Sequence, residues 1–444
     1  MTGLHVDHLR GPEPAVDGPA REGKGGVSAV SSRGSRPRGG PLDLPGPLDL
    51  PGPLAPSADA VHVAPLRSVA DRRAFIDLPW QIYRDDPAWV PPLKYKVTQF
   101  IDPGHPFRRH GAAQEFLAWR RGQPVGRILV SDDPRFNAQQ QANVGCFGMF
   151  EALDDQPTAA ALLDAAAAWL RRRGRAEMFG PIDYSTNYPI GLLVDGFQTP
   201  PRAMMNHHPR YYARLLESAG MRPVMDLYAW WFNDSCDMVT RWRDKLGALA
   251  ARFEITVRPI DRRRVRSEME LCKTLYNQAW QRNWGFVPMT DAEFECLAAD
   301  LMRLGRTELM LIAEVRGRPV GLCVTVPDFN EAIRPLGGRL TRWGLPLGLL
   351  SLLWRLPRVK TARMALLGVV DGYRRRGVAE MLVLHTLDRG KNVLGYTGAE
   401  LSWTLASNTL INRTIERVGG ERYKTYRIYR RTVAQRILGS GSCD

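Results

Sequence analysis

The sequence predicts a mixed α/β fold, an α+β mixed sheet in which one unit occurs twice, as two tandem domains over residues 61–232 and 233–435. Three observations predict it. Strand and helix signals alternate in one order, a strand pair followed by strand, helix and strand, and that order recurs in both halves. The helical stretches carry apolar residues at three- and four-residue spacing, whereas the strand stretches are short and bounded by turn residues. A chain of 444 residues with 44% hydrophobic residues also supplies two cores of ordinary size.

Ahead of the first half, residues 1–60 contain 11 Gly and 10 Pro, including the tandem Pro41-Leu42-Asp43-Leu44-Pro45-Gly46 and Pro47-Leu48-Asp49-Leu50-Pro51-Gly52. Such a segment cannot bury enough apolar surface to offset its ordering entropy, so a disordered tail is expected, with no chemistry assigned to it. In the first half, Glu115–Trp119 and Val125–Val130 read as hairpin strands around Arg121-Gly122-Gln123-Pro124, and Val144–Phe150 as a third strand. Thr158–Arg173 reads as a helix, because Ala161, Leu162, Ala165, Ala168 and Trp169 share a face and Gly174 stops it. Glu177–Phe179 resumes a strand. The second half offers a helix at Met269–Trp280, a hairpin of Leu309–Val315 and Pro319–Val326 around Arg316-Gly317-Arg318, and a strand at Met364–Val370. A helix at Val378–Arg389, a strand at Ala399–Trp403, a helix at Thr409–Val418 and a closing strand at Tyr423–Tyr429 follow, before a short tail at 436–444. The halves share little residue identity, so the duplication rests on order.

The N-terminal tail holds six basic and seven acidic residues, so the chain's net charge of +15 becomes +16 for the remainder. A basic folded part implies an anionic partner: nucleic acid, a phosphorylated cofactor or an anionic membrane surface. Nucleic acid is not expected, because no recognition helix or aromatic-basic stacking motif is present. The six cysteines form no CxxC pair, which suits reduced thiols in a reducing compartment. No metal is expected either. His207 and His208 are adjacent rather than one helical turn apart, and no cysteine lies near them. Residues 1–30 lack the apolar core of a secretory signal. The longest uncharged apolar run, Trp343–Trp354, would span about 18 Å as a helix against a hydrocarbon core of about 30 Å. A cytoplasmic location is therefore expected.

The sharpest local signal is Leu366-Leu367-Gly368-Val369-Val370-Asp371-Gly372-Tyr373-Arg374-Arg375-Arg376-Gly377-Val378-Ala379, followed by an amphipathic helix. A strand that passes through a short loop into a helix leaves backbone N–H groups unpaired at the helix start, where a pyrophosphate can sit. Gly377 permits close approach, Ala379 keeps the helix start uncrowded, and the arginines supply charge. Arg171-Arg172-Arg173-Gly174-Arg175-Ala176 has the same bare pattern, but there a helix precedes the glycine and a strand follows, so it presents no helix N-terminus.

This strand, loop and helix resemble motif A of the GNAT superfamily of acyl-CoA-dependent N-acyltransferases. The resemblance covers roughly residues 253–431, and the first half looks like a degenerate copy without the loop. It implies acyl-CoA as co-substrate, and a bulged strand that splays from its neighbour. Pantetheine would lie in the wedge against Leu367, Gly368, Val369 and Val370, and the pyrophosphate on Arg374, Arg375, Arg376, Gly377, Val378 and Ala379. Glu400-Leu401-Ser402-Trp403 and Ser407-Asn408-Thr409 through Gly419-Gly420 resemble the family's later motif, which contacts the far side of the acyl-CoA. Asn408 fits that contact and a helix N-cap equally well. One departure concerns the acid. Where the family often has a tyrosine to protonate the leaving thiolate, this chain has Ile415. Tyr426 and Tyr423 on the closing strand are candidate replacements, and so is no acid at all. Because amine acylation needs a neutral amine, Glu400, on the strand flanking the wedge, is the candidate base, against the alternative of an exposed strand carboxylate.

Between Val326 and Met364 lie 37 residues, including Trp343–Trp354 and the basic Arg334, Arg339, Arg342, Arg355, Arg358, Lys360 and Arg363. An apolar insertion at 333–360 with terminal tryptophans and basic flanks suits an interface with an anionic membrane, an acyl-chain tunnel, or a hairpin closing the two domains. Four longer phrases, residues 83–93, 180–187, 191–197 and 276–288, resemble the large two-lobed bacterial branch similar to bacterial ceramide synthase, which N-acylates a sphingoid base from a long-chain acyl-CoA. The resemblance implies a lipid amine as acceptor, and the basic-flanked apolar insertion suits peripheral contact with the inner face of the cytoplasmic membrane. Tyr184, Asn187, Trp280, Asn283, Trp284 and Trp403 combine aromatic walls with amide groups that could hold an amino-alcohol head group, or simply pack. A small soluble amine or a protein lysine as acceptor, and a non-catalytic acyl-CoA-binding protein, are the alternatives.

Overall fold

The computed structural model describes residues 59–233, 238–281, 283–417 and 419–433. The expected tails at 1–60 and 436–444 lie outside the described residues, apart from Asp59 and Ala60. The first half contains β1 (His62–Pro65), α1 (Val69–Ile82), α2 (Lys94–Phe100), β2 (Ala112–Arg120), β3 (Gln123–Asp132), α3 (Pro134–Gln140), β4 (Val144–Ala152), α4 (Gln156–Arg172), β5 (Glu177–Gly180), β6 (Leu192–Asp195), α5 (Tyr212–Ser218) and β7 (Arg222–Asn233). The second contains α6 (Met238–Phe253), β8 (Ile255–Pro259), α7 (Val265–Trp280), α8 (Asp291–Leu304), β9 (Met310–Val315), β10 (Arg318–Pro327), α9 (Asn330–Ile333), α10 (Leu347–Arg355), β11 (Thr361–Val369), α11 (Val378–Asp388), β12 (Gly398–Leu405), α12 (Thr409–Arg417) and β13 (Glu421–Thr432).

Local chemistry repeats between the halves. The β2–β3 hairpin turns on Arg121 and Gly122 with φ of 49° and 73°, and the β9–β10 hairpin on Arg316 and Gly317 with φ of 52° and 73°. Two successive positive φ values give the turn whose twist matches that of the flanking strands. In each hairpin the register shifts beside the following proline, Pro124 or Pro319, which removes a ladder donor.

All the strands join one sheet in the order β1-β2-β3-β4-β5-β13-β7-β12-β11-β10-β9-β8, with β6 beside β13. The closing strands are exchanged. β7 ends the first half in sequence yet pairs with β12, while β13 ends the second and pairs with β5. β7 and β13 then pair antiparallel with each other along the middle of the sheet, from Glu421 opposite Trp231 to Arg430 opposite Arg222. Among the described residues only β4/β5 and β11/β12 are parallel pairs. Leu162, Leu163, Ala166 and Leu170 of α4 seal one face of the first half, and Val378, Met381 and Leu382 of α11 do the same in the second. Leu275 of α7 packs on the opposite face, with Leu322 and Val324.

Candidate active site

β11 and β12 pair only from Thr361 opposite Gly398 to Met364 opposite Leu401. Beyond that point β11 follows β10 and β12 follows β7, so the two strands part. Ala365 is the extra residue of a bulge in β11, as the register shift opposite Val324 and Thr325 shows. A bulge bends its strand and strengthens its twist, which opens the wedge. Trp280, at the end of α7, covers one face of the diverging strand; a Cβ on Gly368 would come within 2.3 Å of its ring. Trp280 stacks on Tyr276 at 5.0 Å, and the Tyr276 hydroxyl donates to Asn187 Oδ1 at 3.0 Å. Asn187 in turn donates to the Val287 carbonyl, so a first-half residue braces the wall of a second-half wedge.

The loop after β11 delivers the chain into α11 through Gly377, the N-cap, at φ 87°. A glycine has no side chain with which to cap the first-turn amides of this helix. Arg374 is engaged elsewhere: its guanidinium donates to the carbonyls of Val369 and Ala279 and pairs with Asp371. It ties the end of β11 to the end of α7. Arg376 lies over the Tyr373 ring at 5.0 Å on the exposed side of the loop.

The equivalent place in the first half is closed twice over. β4 and β5 pair from Val144 opposite Glu177 to Cys146 opposite Phe179, and then the chain itself fills the gap. Ile182 N–H donates to the Phe147 carbonyl at 2.6 Å, and the Asp183 carboxylate accepts from Met149 N–H at 2.8 Å. Burial pushes the Asp183 carboxyl up to about 6. At the start of α4, Asp155 caps the helix, accepting from Thr158 N–H at 2.9 Å and from Arg120 at 2.7 Å. Burial pulls the Asp155 carboxyl upward, but these bonds outweigh it and hold the group below its ordinary range. A protein carboxylate thus caps α4, whereas α11 begins with a glycine.

A buried polar cluster lies at the closed end of the second-half wedge. Glu400 is fully buried. Its carboxylate accepts from Ser402 and from Tyr423 and pairs with Arg363 at 3.3 Å. Arg363 also donates to Ser402 at 2.7 Å and to the Ala203 carbonyl at 3.0 Å. Burial, with the Glu400 charge second, raises the Tyr423 pKa, so its hydroxyl stays protonated. On the same strand Lys424 donates to the Gly196 and Thr199 carbonyls, and burial brings its ammonium down to about 8.

No family model matches the chain. It is 36% identical over 368 residues to Protein YghO of Escherichia coli (strain K12), covering 82% of this chain and 93% of that protein. It is also 36% identical over 380 residues to the bacterial ceramide synthase of Caulobacter vibrioides (strain NA1000 / CB15N), covering 84% and 97%. The chain belongs to this family. Its fold is that of the GNAT superfamily in tandem form: a tandem GNAT protein from the clavulanic acid biosynthesis pathway superposes with a TM-score of 0.50 at 12% identity, over 84% of this chain and 99% of that one.

Within this tandem GNAT frame the expected site residues divide. Leu367, Gly368, Val369 and Val370 line or end the diverging strand, and Arg374 to Ala379 form the loop and helix start. Glu400 is in the cluster rather than exposed. Tyr426 is fully buried and its hydroxyl is donated to the Asn206 carbonyl at 3.2 Å, whereas half-buried Tyr423 meets Glu400. Tyr184 lies in the loop between β5 and β6. Its ring is wholly buried against Phe107 in the first half, and its hydroxyl is donated to the Phe100 carbonyl at 2.6 Å. Asn283 is exposed in the turn after α7, bound through its backbone to Trp280 and Phe286. Trp284 and Trp403 are half-buried. Asn408 caps α12, accepting from Ile411 N–H, and Ile415 packs in the core against Gly420 and Phe232. His207 pairs with Asp86 at 2.7 Å and His208 accepts from Leu193 N–H. Among the described residues no three His, Cys, Asp or Glu gather to hold a metal. The sequence reading missed Arg363 and Ser402 as partners of Glu400; both stand in the quoted motifs or their flanks, but strand pairing alone brings them together.

Proposed function

We propose that this protein transfers an acyl group, long-chain in character, from acyl-CoA to the amine of a lipid such as a sphingoid base. The observation that carries the reading is the contrast between the two helix starts: α4 is capped by Asp155, and α11 is left uncapped beside a parted strand pair. An uncapped N-terminus, with its dipole and free amides, suits the paired phosphates of CoA. The pantetheine then follows the wedge edge of β11 toward Glu400.

In the transfer, the acceptor nitrogen attacks the thioester carbonyl, a C–N bond forms, the C–S bond breaks, and CoA leaves as the thiolate, which becomes the thiol when the proton taken from the amine returns to it through Tyr423. The amine loses one proton. Because Glu400 is buried and Tyr423 is half-buried, that proton enters through the Tyr423 hydroxyl, whose own proton passes to Glu400. Arg363 and Ser402 hold the carboxylate in place for this step. The name of the Caulobacter relative supports a sphingoid acceptor. A lipid amine is met at a membrane, so the reading includes peripheral contact with the inner leaflet of the cytoplasmic membrane.

The test is CoA release from palmitoyl-CoA and acetyl-CoA, each with sphinganine or a soluble polyamine, together with mass spectrometry of lipids from cells with and without the gene. The reading expects release only with the long-chain donor and sphinganine, and loss of one N-acylated lipid from the mutant cells. Release with acetyl-CoA and the polyamine would replace it with small-amine acetylation.

A further inference from the structure

Residues 334–360 carry six basic residues, Arg334, Arg339, Arg342, Arg355, Arg358 and Lys360, and no acidic residue. Their fold separates an anchored base from a bare tip. At the base, Trp80 Nε1 donates to the Gly337 carbonyl at 3.0 Å and Lys94 N–H to the Gly338 carbonyl at 2.9 Å. Leu352, on the inward side of α10, packs with Val90, Leu93, Ile333 and Val359. The insertion is therefore fixed to the body of the protein.

The outward side has no such cover. Arg342 and Leu345 exchange two backbone hydrogen bonds around Trp343 and Gly344, whose φ values of 52° and 78° make a tight turn with the indole at its tip. Trp343 is 85% exposed. Leu347, Leu350, Leu353 and Trp354 recur at helical spacing, and the last three are each 58 or 59% exposed. These side chains face solvent, so they do not wall an acyl tunnel. Arg358 lies over the Trp354 ring at 4.0 Å and Arg342 beside Trp343, and among the described residues Arg339, Arg342, Arg355 and Arg358 make no ion pair with a carboxylate.

We infer that the 339–358 hairpin and helix form a membrane-docking element that seats Trp343 and the Leu350–Leu353–Trp354 stripe at the interface of an anionic phospholipid bilayer. The occupant follows from charge and shape together. An apolar ridge rimmed by unpaired arginines matches a layer of acyl chains beneath phosphate head groups, with indoles at the boundary. A protein partner would need an acidic groove, and a second copy of this chain would bring the same positive rim against itself. The inference deepens the lipid-acceptor reading by naming the surface that brings the enzyme to its substrate.

The test is sedimentation of the full chain with vesicles of phosphatidylcholine alone or mixed equally with phosphatidylglycerol. Binding is expected to the mixed vesicles and to weaken with salt. Combining Trp343→Ser, Leu350→Ser, Leu353→Ser and Trp354→Ser should reduce binding more than tenfold, and Arg339→Gln, Arg342→Gln, Arg355→Gln and Arg358→Gln together should abolish the preference for phosphatidylglycerol. Wild-type protein left in the supernatant of the mixed vesicles would overturn the inference. So would a wild-type dimer in sedimentation velocity that the serine variant dissolves, since the ridge would then be a subunit interface. CoA release with sphinganine in detergent micelles separates the two readings: it is expected to be unchanged in the serine variant, and its absence from wild type that still binds vesicles would defeat the acyltransfer reading alone.

Discussion

Tyr423 and Glu400 form a hydrogen bond across a strand that belongs to neither. Glu400 is on β12 and Tyr423 on β13, and β7, contributed by the first half, runs between them with Trp231 opposite Glu400 and Glu421. The reacting end of the second-half site is therefore assembled by strand exchange, and a second half cut out alone would lack the strand that spaces its proton acceptor from its relay.

If Glu400 receives the amine proton, Glu400→Gln lowers kcat by about 100-fold or more while leaving the KM for acyl-CoA within a factor of a few, the size expected for loss of a general base. Tyr423→Phe gives a smaller loss, about tenfold. Steady-state kinetics across pH checks both.

Arg363 is buried and paired with Glu400 at 3.3 Å. Arg363→Met leaves that carboxylate buried without its partner, a change that costs on the order of 3 to 5 kcal/mol. Adding Glu400→Gln removes the orphaned charge and recovers much of the loss. Urea midpoints of the two single variants and the double variant measure the coupling.

Asp183 makes a prediction about the closed wedge. Its carboxyl is raised to about 6 by burial, so the folded state favours the protonated form. That stability is complete below the unfolded carboxyl's pKa near 4 and is lost as pH rises through about 6. Asp183→Asn keeps an oxygen for the Met149 amide and removes the ionisation. At pH 7.5 the variant is expected to be more stable by at most roughly 3 kcal/mol, with the gap closing near pH 4. Denaturant titrations at the two pH values read the difference.

The parts of the fold that declared themselves in sequence are those set by local pattern. The helix at 158–173, both hairpins and the strand-loop-helix at 364–389 lie within a few residues of where periodicity and turn residues place them. Pairing between distant strands has no such signature, so the exchange of β7 and β13, and with it the meeting of Glu400, Arg363 and Tyr423, became visible only in three dimensions. Aromatic residues were the weakest guide. Tyr184 and Tyr426 have the same sequence character as Tyr423, yet their hydroxyls are spent on the Phe100 and Asn206 carbonyls. Asp155 could have been read as a cap, since Asp155-Gln156-Pro157-Thr158 opens α4 with an acceptor and an early proline.

If the start of α11 grips acyl-CoA, equilibrium binding of palmitoyl-CoA will distinguish the full chain from its Gly377→Glu variant. Gly377 sits at φ 87°, so any side chain strains the turn, and a carboxylate there takes the place Asp155 holds at α4. At least a 100-fold loss of affinity is expected, with far-UV circular dichroism unchanged; a correctly folded variant that binds palmitoyl-CoA as tightly as wild type would contradict a phosphate seat at this helix.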